Sequence, residues 1–429
     1  MRVLVLGAYG LIGSYVIARL HAEGHEIVGL GRDVASARRR FPYARWIATD
    51  LGRLRTPGEW DEPLTGIEAV VNCAGALQDS PRDNLRAVHV HACAALYAAC
   101  AARGVRRVIH VSAAGVAPGR GTAFNDTKLA AETGLKALDL DWVILRPGLV
   151  LAPAAYGGTA LLRGIASFPW VMPVDRPDAI VQAVWVDDVA LAVSRALAPD
   201  APSRLSLDVV YDEPTTLGEI LVALRAWLGL APAPLLRVPS ATVARIADAI
   251  AALGWRPPLR STTVAQLSGG VTGDPAPLLR RLGIRPLRLA EFLARWPSGV
   301  QERWFARLYF LKPAALAGLI IFWLASGVIG VTGGFHGAVA ILTAAGVAPR
   351  AAQLIVIAGA ICDITLALTA CFRRGAPWAL KGMLAVCAAY LVGGSALRPD
   401  LWLDPLGPFV KIIPVMLLAL MTLAVLDER

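Results

Sequence analysis

Three glycines at a spacing of three, Gly7, Gly10 and Gly13, stand between an apolar run, Val3-Leu4-Val5-Leu6, and a helix-like segment, Ser14 to Leu20. Ala8, Tyr9, Leu11 and Ile12 fill the gaps. Strand, glycine turn and helix in that order suit a pyrophosphate. The first glycine permits the turn, the second admits the phosphates close to the backbone, and the third lets helix and strand pack closely. The helix start then offers unpaired N–H groups and the positive end of its dipole. A glycine-rich turn with no ligand is the plain alternative; the strand before and the helix after argue against it.

A second strand, Glu26 to Leu30, ends at Gly31-Arg32-Asp33. An acidic side chain at this tip would bond the ribose 2′-OH of NAD, whereas arginine suits the 2′-phosphate of NADP. Arg32 holds the tip and Arg38, Arg39 and Arg40 follow, which favours NADP; Asp33, one place later, keeps NAD as the alternative. Further candidates close later strands. Asp50 and Leu51 end Trp46 to Leu51, Cys73, Ala74 and Gly75 end Ala69 to Gly75, and Ser112 falls near the end of Arg107 to Gly115. Apolar strands alternating with helices, including an alanine-rich one over about Asn84 to Arg103, predict an α/β doubly wound parallel sheet.

These residues carry a resemblance. Gly7-x-x-Gly10-x-x-Gly13, Asp50-Leu51, Asn72-x-Ala74-Gly75 and Ser112 together resemble the short-chain dehydrogenase/reductase superfamily, a Rossmann fold. Its extended and atypical branches are matched by Asn125-Asp126-Thr127-Lys128 with Glu132, by Leu145-Arg146-Pro147-Gly148, and by Val186-Asp187-Asp188-Val189-Ala190. The closing segment is matched by Leu282 to Pro286 with Leu289 to Leu293, so the resemblance runs from Met1 to Trp296. It implies that the glycines cradle the pyrophosphate, Arg32 reads the 2′-phosphate and Asp50 the adenine edge. It also implies that Lys128 holds the nicotinamide ribose and that Pro147 and Gly148 lie beside the ring. One departure stands out. The superfamily's proton donor is a tyrosine four places before the lysine; here that place holds Phe124. Ser112 and Lys128 keep the two remaining catalytic positions. Reduction of a carbonyl still requires a proton source, and Tyr156, His110 and water are the open substitutes. A surface lysine and a strand-end packing serine are the plain alternatives for Lys128 and Ser112.

Composition bounds the rest. Mean hydropathy of +0.56 is high for a soluble chain, and the apolar excess follows Lys312. The six cysteines form no CxxC pair and no His/Cys cluster, so neither a disulfide framework nor a metal site is expected. The net charge of +10 comes from dispersed arginines, which suits an anionic cofactor and membrane surface rather than nucleic acid. Glycines interrupt the apolar run of Met1 to Leu20, so no secretory signal is expected. A small substrate-side lobe is expected over roughly 150–180 and 205–298, closing an amino-terminal domain of 1–298. Val150 to Pro177, rich in proline, glycine and aromatics, reads there as a loop shaping an apolar pocket, Pro232 to Pro239 reads as a connector, and Thr216 to Glu219 has capping-box spacing.

Residues 299–312, with Arg303, Trp304, Arg307, Tyr309 and Lys312, have the composition of an interfacial junction. Four apolar stretches near 313–332, 351–371, 377–397 and 407–426 are each long enough to span a bilayer, so residues 313–429 read as an all-α four-helix transmembrane bundle. This part resembles the DoxX-like family. Arg303, Arg307, Lys312, Arg373, Arg374 and Arg429 outnumber Arg350 and Arg398 on alternate loops, which predicts both termini in the cytoplasm at the inner membrane. Asp363 falls within the second span, where a carboxylate is a structural hydrogen-bonding group or a functional one. Glycines along the spans offer close-packing surfaces for helices or for a membrane-protein partner. Two functions remain open: an NADPH-dependent oxidoreductase acting on a lipophilic carbonyl or quinone-like compound, and a non-catalytic nucleotide-binding sensor or assembly module.

Overall fold

In the computed structural model, residues 1–75, 79, 84–255 and 270–426 are described. The chain forms two compact units. The first takes in Met1–Ala247 and the stretch ending at Ala306; the second takes in a short stretch beginning at Asp248 and the chain from Arg307 onward.

The first unit is built on seven strands: β1 (Arg2–Leu6), β2 (Glu26–Gly31), β3 (Arg45–Ala48), β4 (Ala69–Asn72), β5 (Arg107–Val111), β6 (Asp141–Pro147) and the edge strand Leu205–Val209. Their spatial order is Leu205–Val209, β6, β5, β4, β1, β2, β3, every pair parallel. The main helices are α1 (Leu11–Ala22), α2 (Val34–Arg40), α3 (Cys93–Arg103), α4 (Ala123–Lys136), α5 (Gly157–Ala166) and α6 (Val186–Leu197). Strand β1 shows why its sequence is apolar throughout. Val3 and Val5 enter the core with α1 and α6, while Leu4 and Leu6 enter the opposite core with α3 and α4. A parallel strand covered on both faces has no wet side on which to place polar residues. This is the doubly wound sheet that the alternation predicts.

Three local expectations change. Strand β3 stops at Ala48 because Asp50 accepts the N–H of Gly52 at 3.1 Å and caps the 3₁₀ turn Leu51–Arg53. The stretch from Val150 to Pro177 is not one loop. It contains α5, whose Ala160, Leu161, Leu162 and Ile165 are buried, and the short strand Met172–Val174. Its prolines and glycines flank the helix rather than interrupt it. The expected connector contributes Leu235–Arg237, which pairs in parallel with Met172–Val174. The capping box forms as its spacing predicts: Thr216 Oγ1 accepts the Glu219 N–H at 3.1 Å, and Glu219 accepts the Thr216 N–H at 2.7 Å.

The second unit is helical. Val300–Val331 is one helix through Pro313, so the expected junction is continuous with the first apolar segment. Pro349–Cys371 and Ala376–Leu397 follow, and these three helices are long and apolar enough to cross a membrane. The fourth expected stretch forms the helix Pro408–Ala424, 17 residues: Gly407, in the left-handed region, precedes Pro408 at its start, and the helix ends two residues before Leu426. A further apolar helix, Phe335–Ala344, was not expected. Leu319, Trp323, Ala367, Leu380 and Met383 form part of the unit's core, while Leu354, Val392 and Met421 face outward. Asp363 is buried and accepts a hydrogen bond from Ser326 at 2.8 Å, whereas Lys411 is exposed. The terminal Asp427, Glu428 and Arg429 lie outside the described residues.

Helix α1 meets β1 without room for a side chain. A Cβ on Gly13 would lie 2.1 Å from the Gly7 carbonyl oxygen, a backbone atom that cannot swing aside. Gly13→Ala should therefore destabilise the protein by about 1–3 kcal/mol, seen as a lowered thermal midpoint in detergent. An unchanged midpoint would show that the loop relaxes freely.

Candidate cofactor and catalytic site

The site begins where β1 and β4 end. Gly7 has φ +68°, and a Cβ there would lie 2.8 Å from the Cys73 carbonyl and 2.9 Å from Ala74. The loops after these strands therefore touch, and their neighbours in the sheet diverge from this point, β2 on one side and β5 on the other. A crevice at the carboxyl ends of strands, where the order reverses, is where open parallel sheets bind nucleotides. Gly10 stands at the start of α1 and supplies no side-chain cap, so the first turn presents backbone N–H groups of Leu11, Ile12 and Gly13 that meet no partner among the described residues. Ala8 is fully buried. This cradle fits a dinucleotide pyrophosphate: each close approach is one that a Cβ would fill.

At the tip of β2, Tyr9 lies across Gly31, where a Cβ would meet its ring at 2.2 Å. The Tyr9 hydroxyl accepts the backbone N–H of Arg32 at 3.1 Å. Arg32 thus stands at the tip, as its spacing predicts. Asp33 is occupied otherwise: its carboxylate accepts the Ser36 N–H at 3.2 Å and caps α2. Asp50 likewise caps its own turn, with Leu51 the first residue of that turn. Asn72 Oδ1 accepts the Ala74 N–H at 3.0 Å and shapes the loop of Cys73 to Gly75.

Lys128 is no surface lysine. It is buried, and its Nζ donates to the Val111 carbonyl at 3.0 Å. A Cβ on Gly75 would lie 3.4 Å from that nitrogen, so the ammonium faces the nucleotide loop. Burial pulls the Lys128 pKa down. Ser112 is buried just beyond β5; its Oγ meets no partner at hydrogen-bond geometry among the described residues, yet it helps to hold the nearby Glu132 carboxylate ionised. Glu132 is fully buried and receives Arg146 through two nitrogens, one at 2.9 Å. Phe124 packs its ring against His89, centroids 5.9 Å apart and nearly perpendicular.

The remaining expectations sort themselves by contact. His110 belongs to a buried network: its Nδ1 meets the Tyr97 hydroxyl at 2.8 Å, and Asn72 Nδ2 reaches that hydroxyl at 3.3 Å. Burial holds the His110 pKa well down. Tyr156 is 45% exposed at the start of α5. Pro147 accepts the Ala114 N–H at 2.8 Å, and Gly148 is small because a Cβ would lie 2.2 Å from the Gln182 carbonyl. Asp187 accepts the Trp185 indole N–H, and Asp188 accepts the Leu287 N–H, both at 2.9 Å, so that motif pins the closing segment. His89 is the residue that sequence reasoning passed over. Its only signal was a histidine in an otherwise alanine-rich helix, alternating with Val88 and Val90.

The buried Glu132–Arg146 pair has a pH signature. Burial alone would push the Glu132 carboxyl up, but Arg146, Ser112 and Lys136 together hold it below its ordinary value of 4.5. In the wild type this pair stabilises above pH 4.5 and its contribution is lost as pH falls through the lowered folded value. Arg146→Met leaves a buried, poorly paired carboxylate and should cost about 3 kcal/mol at neutral pH. Its folded carboxyl pKa then lies above the unfolded one, so stability should decline as pH rises from 4 to 7. Denaturant titrations across that range check the reversal of sign; parallel curves for the two proteins would refute it.

Comparisons with known proteins agree with this geometry. Residues 7–166 match the NAD(P)H-binding family and residues 320–420 match the DoxX-like family. The chain spans about a fifth of the length of the first curated relatives it matches, uncharacterised Mycobacterium proteins 27% identical over 198 residues. It is 24% identical to the mitochondrial NADH-ubiquinone oxidoreductase 40 kDa subunit of Neurospora crassa, over 72% of this chain and 81% of that one. It is 27% identical to sterol demethylase protein B of Methylococcus capsulatus, over 71% of this chain and 99% of that one. Among solved structures, Bordetella bronchiseptica WbmG in complex with NAD shares the fold at a TM-score of 0.52 and 19% identity, covering 68% of this chain and 92% of that one. The DoxX-like match and the three long apolar helices point to a membrane protein. The chain thus joins a segment that matches the NAD(P)H-binding family, in a fold shared with an NAD-bound solved structure, to a carboxy-terminal helical segment that matches the DoxX-like family.

Proposed function

We propose that this protein is a membrane-anchored oxidoreductase that uses NADPH to reduce a lipophilic carbonyl or quinone-like compound at the cytoplasmic face of the inner membrane. The observation that carries this reading is Lys128, buried with its ammonium directed at Gly75 beside the nucleotide crevice. A buried cation is costly, and a bound nucleotide's ribose is the kind of partner that accounts for it. The bound nicotinamide would supply the hydride. The chain's own residues do the rest. The first turn of α1 holds the pyrophosphate, Arg32 reads the 2′-phosphate, and Lys128 fixes the ribose. NADP rather than NAD is supported by the engagement of Asp33 in capping α2, which leaves Arg32 as the charged group to read the ribose. An apolar substrate is supported by the membrane helices, which concentrate such compounds, and by similarity to a protein named for sterol demethylation. The distribution of Arg303, Arg307, Arg373 and Arg374 supports cytoplasmic termini.

A second reading has two specific observations behind it. Phe124 stands where the resembled superfamily has its proton donor, and a relative is named as a 40 kDa subunit of NADH-ubiquinone oxidoreductase. On that reading the chain binds the nucleotide without turnover and its spans contact partner helices.

Purified in detergent, the protein should carry NADPH and oxidise it with menadione or 2-decanone, followed at the reduced-nicotinamide absorbance band. Bound NADPH with no oxidation by either acceptor would favour the binding module. Arg32→Ala should weaken NADP binding by about tenfold, the scale of one charge-assisted hydrogen bond, and leave NAD binding unchanged. Equal loss for both nucleotides would remove the role given to Arg32.

A further inference from the structure

We propose that His89 takes the acid–base part left vacant by Phe124, with its Nε2 exchanging a proton with the substrate oxygen. The proposal rests on the oxidoreductase reading above.

Position comes first. His89 lies on the π-helical turn Arg86–Ala92 that precedes α3, and it is 1% exposed. Its ring edge packs against Phe124 itself. A Cβ on Gly75 would lie 3.6 Å from His89 Nε2 and 3.4 Å from Lys128 Nζ, so both nitrogens converge on the nucleotide loop.

The tautomer follows from a neighbour's proton count. His89 Nδ1 meets Thr127 Oγ1 at 3.0 Å. The Thr127 hydroxyl has one hydrogen, and that hydrogen is directed to backbone carbonyls, Ala123 at 2.8 Å and Phe124 at 3.1 Å. Thr127 therefore accepts, and Nδ1 carries the hydrogen. Nε2 carries the lone pair and faces the loop. A hydrogen bond of this kind at one ring nitrogen is how proteins choose which imidazole nitrogen reacts.

The surroundings keep that ring neutral. Burial, and then the Lys128 ammonium, lower the His89 pKa to about 2. Among the described residues, the Cys73 and Cys93 thiols, both pushed up by burial, lie near the same Lys128 ammonium, and His110, held down by burial, interacts electrostatically with His89. Glu132, farther along α4, is neutralised by Arg146. In reduction, the carbonyl carbon receives hydrogen and two electrons from the reduced nicotinamide. The C=O bond becomes a single bond, and the oxygen takes the proton of the His89 Nε2–H imidazolium, which solvent then replenishes. In oxidation the neutral Nε2 accepts the hydroxyl proton.

The sign of the pH dependence follows. With a pKa near 2, the imidazolium fraction falls about tenfold per pH unit across the neutral range. For 2-decanone and NADPH, kcat/KM should fall about tenfold per unit from pH 6 to 8; for 2-decanol and NADP it should stay flat. A reduction profile that is flat there would assign the proton to Lys128 and overturn the proposal.

The full-length protein in detergent, labelled with ¹⁵N-histidine, gives a readout apart from activity. The His89 signal, identified by its loss in His89→Asn, should show a protonated Nδ1 and an unprotonated Nε2 from pH 6 to 8. A protonated Nε2 at pH 7 overturns the proposal. His89→Asn should bind NADPH with a Kd within about threefold of wild type, and its turnover of 2-decanone should fall about a hundredfold. Adding Phe124→Tyr should restore at least about tenfold of that loss by returning a donor to the neighbouring position. An active wild type with an equally active His89→Asn overturns this assignment alone. A wild type that binds NADPH and turns over neither probe overturns the enzymatic reading with it.

Discussion

Helix α1 leaves β1 through a gap that admits backbone and nothing more. The Gly7 carbonyl, the Gly13 Cα and the Cys73–Ala74 peptide approach so closely that a Cβ on either glycine would overlap a backbone atom. Backbone cannot rotate away as a side chain does, so this approach fixes the start of α1 relative to the ends of β1 and β4. Everything at the nucleotide crevice inherits that placement. The bare N–H groups of the first turn face the loop after β4, and the loop after β4 in turn sets where Gly75 meets Lys128 and His89.

Around this crevice the protein buries groups that are costly to bury. Lys128, His89, His110, Ser112 and Glu132 are all nearly or fully inaccessible. Each is managed differently. Glu132 receives Arg146, His110 shares a network with Tyr97 and Asn72, His89 is held through Thr127, and Lys128 donates to a backbone carbonyl. In a low dielectric, these interactions are stronger than they would be in water, and so are the penalties for any one left unmet. Of these five, Lys128 and His89 reach the nucleotide loop at Gly75. Of the others, Glu132 ties α4 to β6 through Arg146, and His110 ties β5 to α3 through Tyr97.

The helical unit solves a different problem with the same backbone economy. Where lipid is the solvent, apolar side chains gain little by turning inward, and close contact depends on small residues. Gly327 lies where a Cβ would be 2.7 Å from the Ala360 carbonyl, and Gly394 lies where a Cβ would be 2.4 Å from the Phe409 ring. Large apolar residues such as Leu354 and Val392 are left outside, 68% and 73% exposed. Asp363 has Ser326 as its partner, which answers part of the cost of a carboxylate among such helices.

The sequence by itself determined the elements that local chemistry controls. Apolar strands buried on both faces, glycines spaced for a turn and a close approach, a capping box at Thr216, and long apolar helices can each be read within a dozen residues. The nucleotide-binding fold, its glycine cradle and the DoxX-like part were legible for that reason. Where the signal was masked locally, the reading failed: α5 hides among prolines and glycines. The tertiary structure alone decided which polar residues meet. His89 and Thr127 are 38 positions apart, and Glu132 and Arg146 are 14 apart on a helix and a strand. No spacing rule links such pairs, because their approach is set by sheet order and by helices packing on its face. The same physics separates His89 from His91. Two positions along a helical turn point in different directions, and only the packed sheet and α4 decide which one is buried.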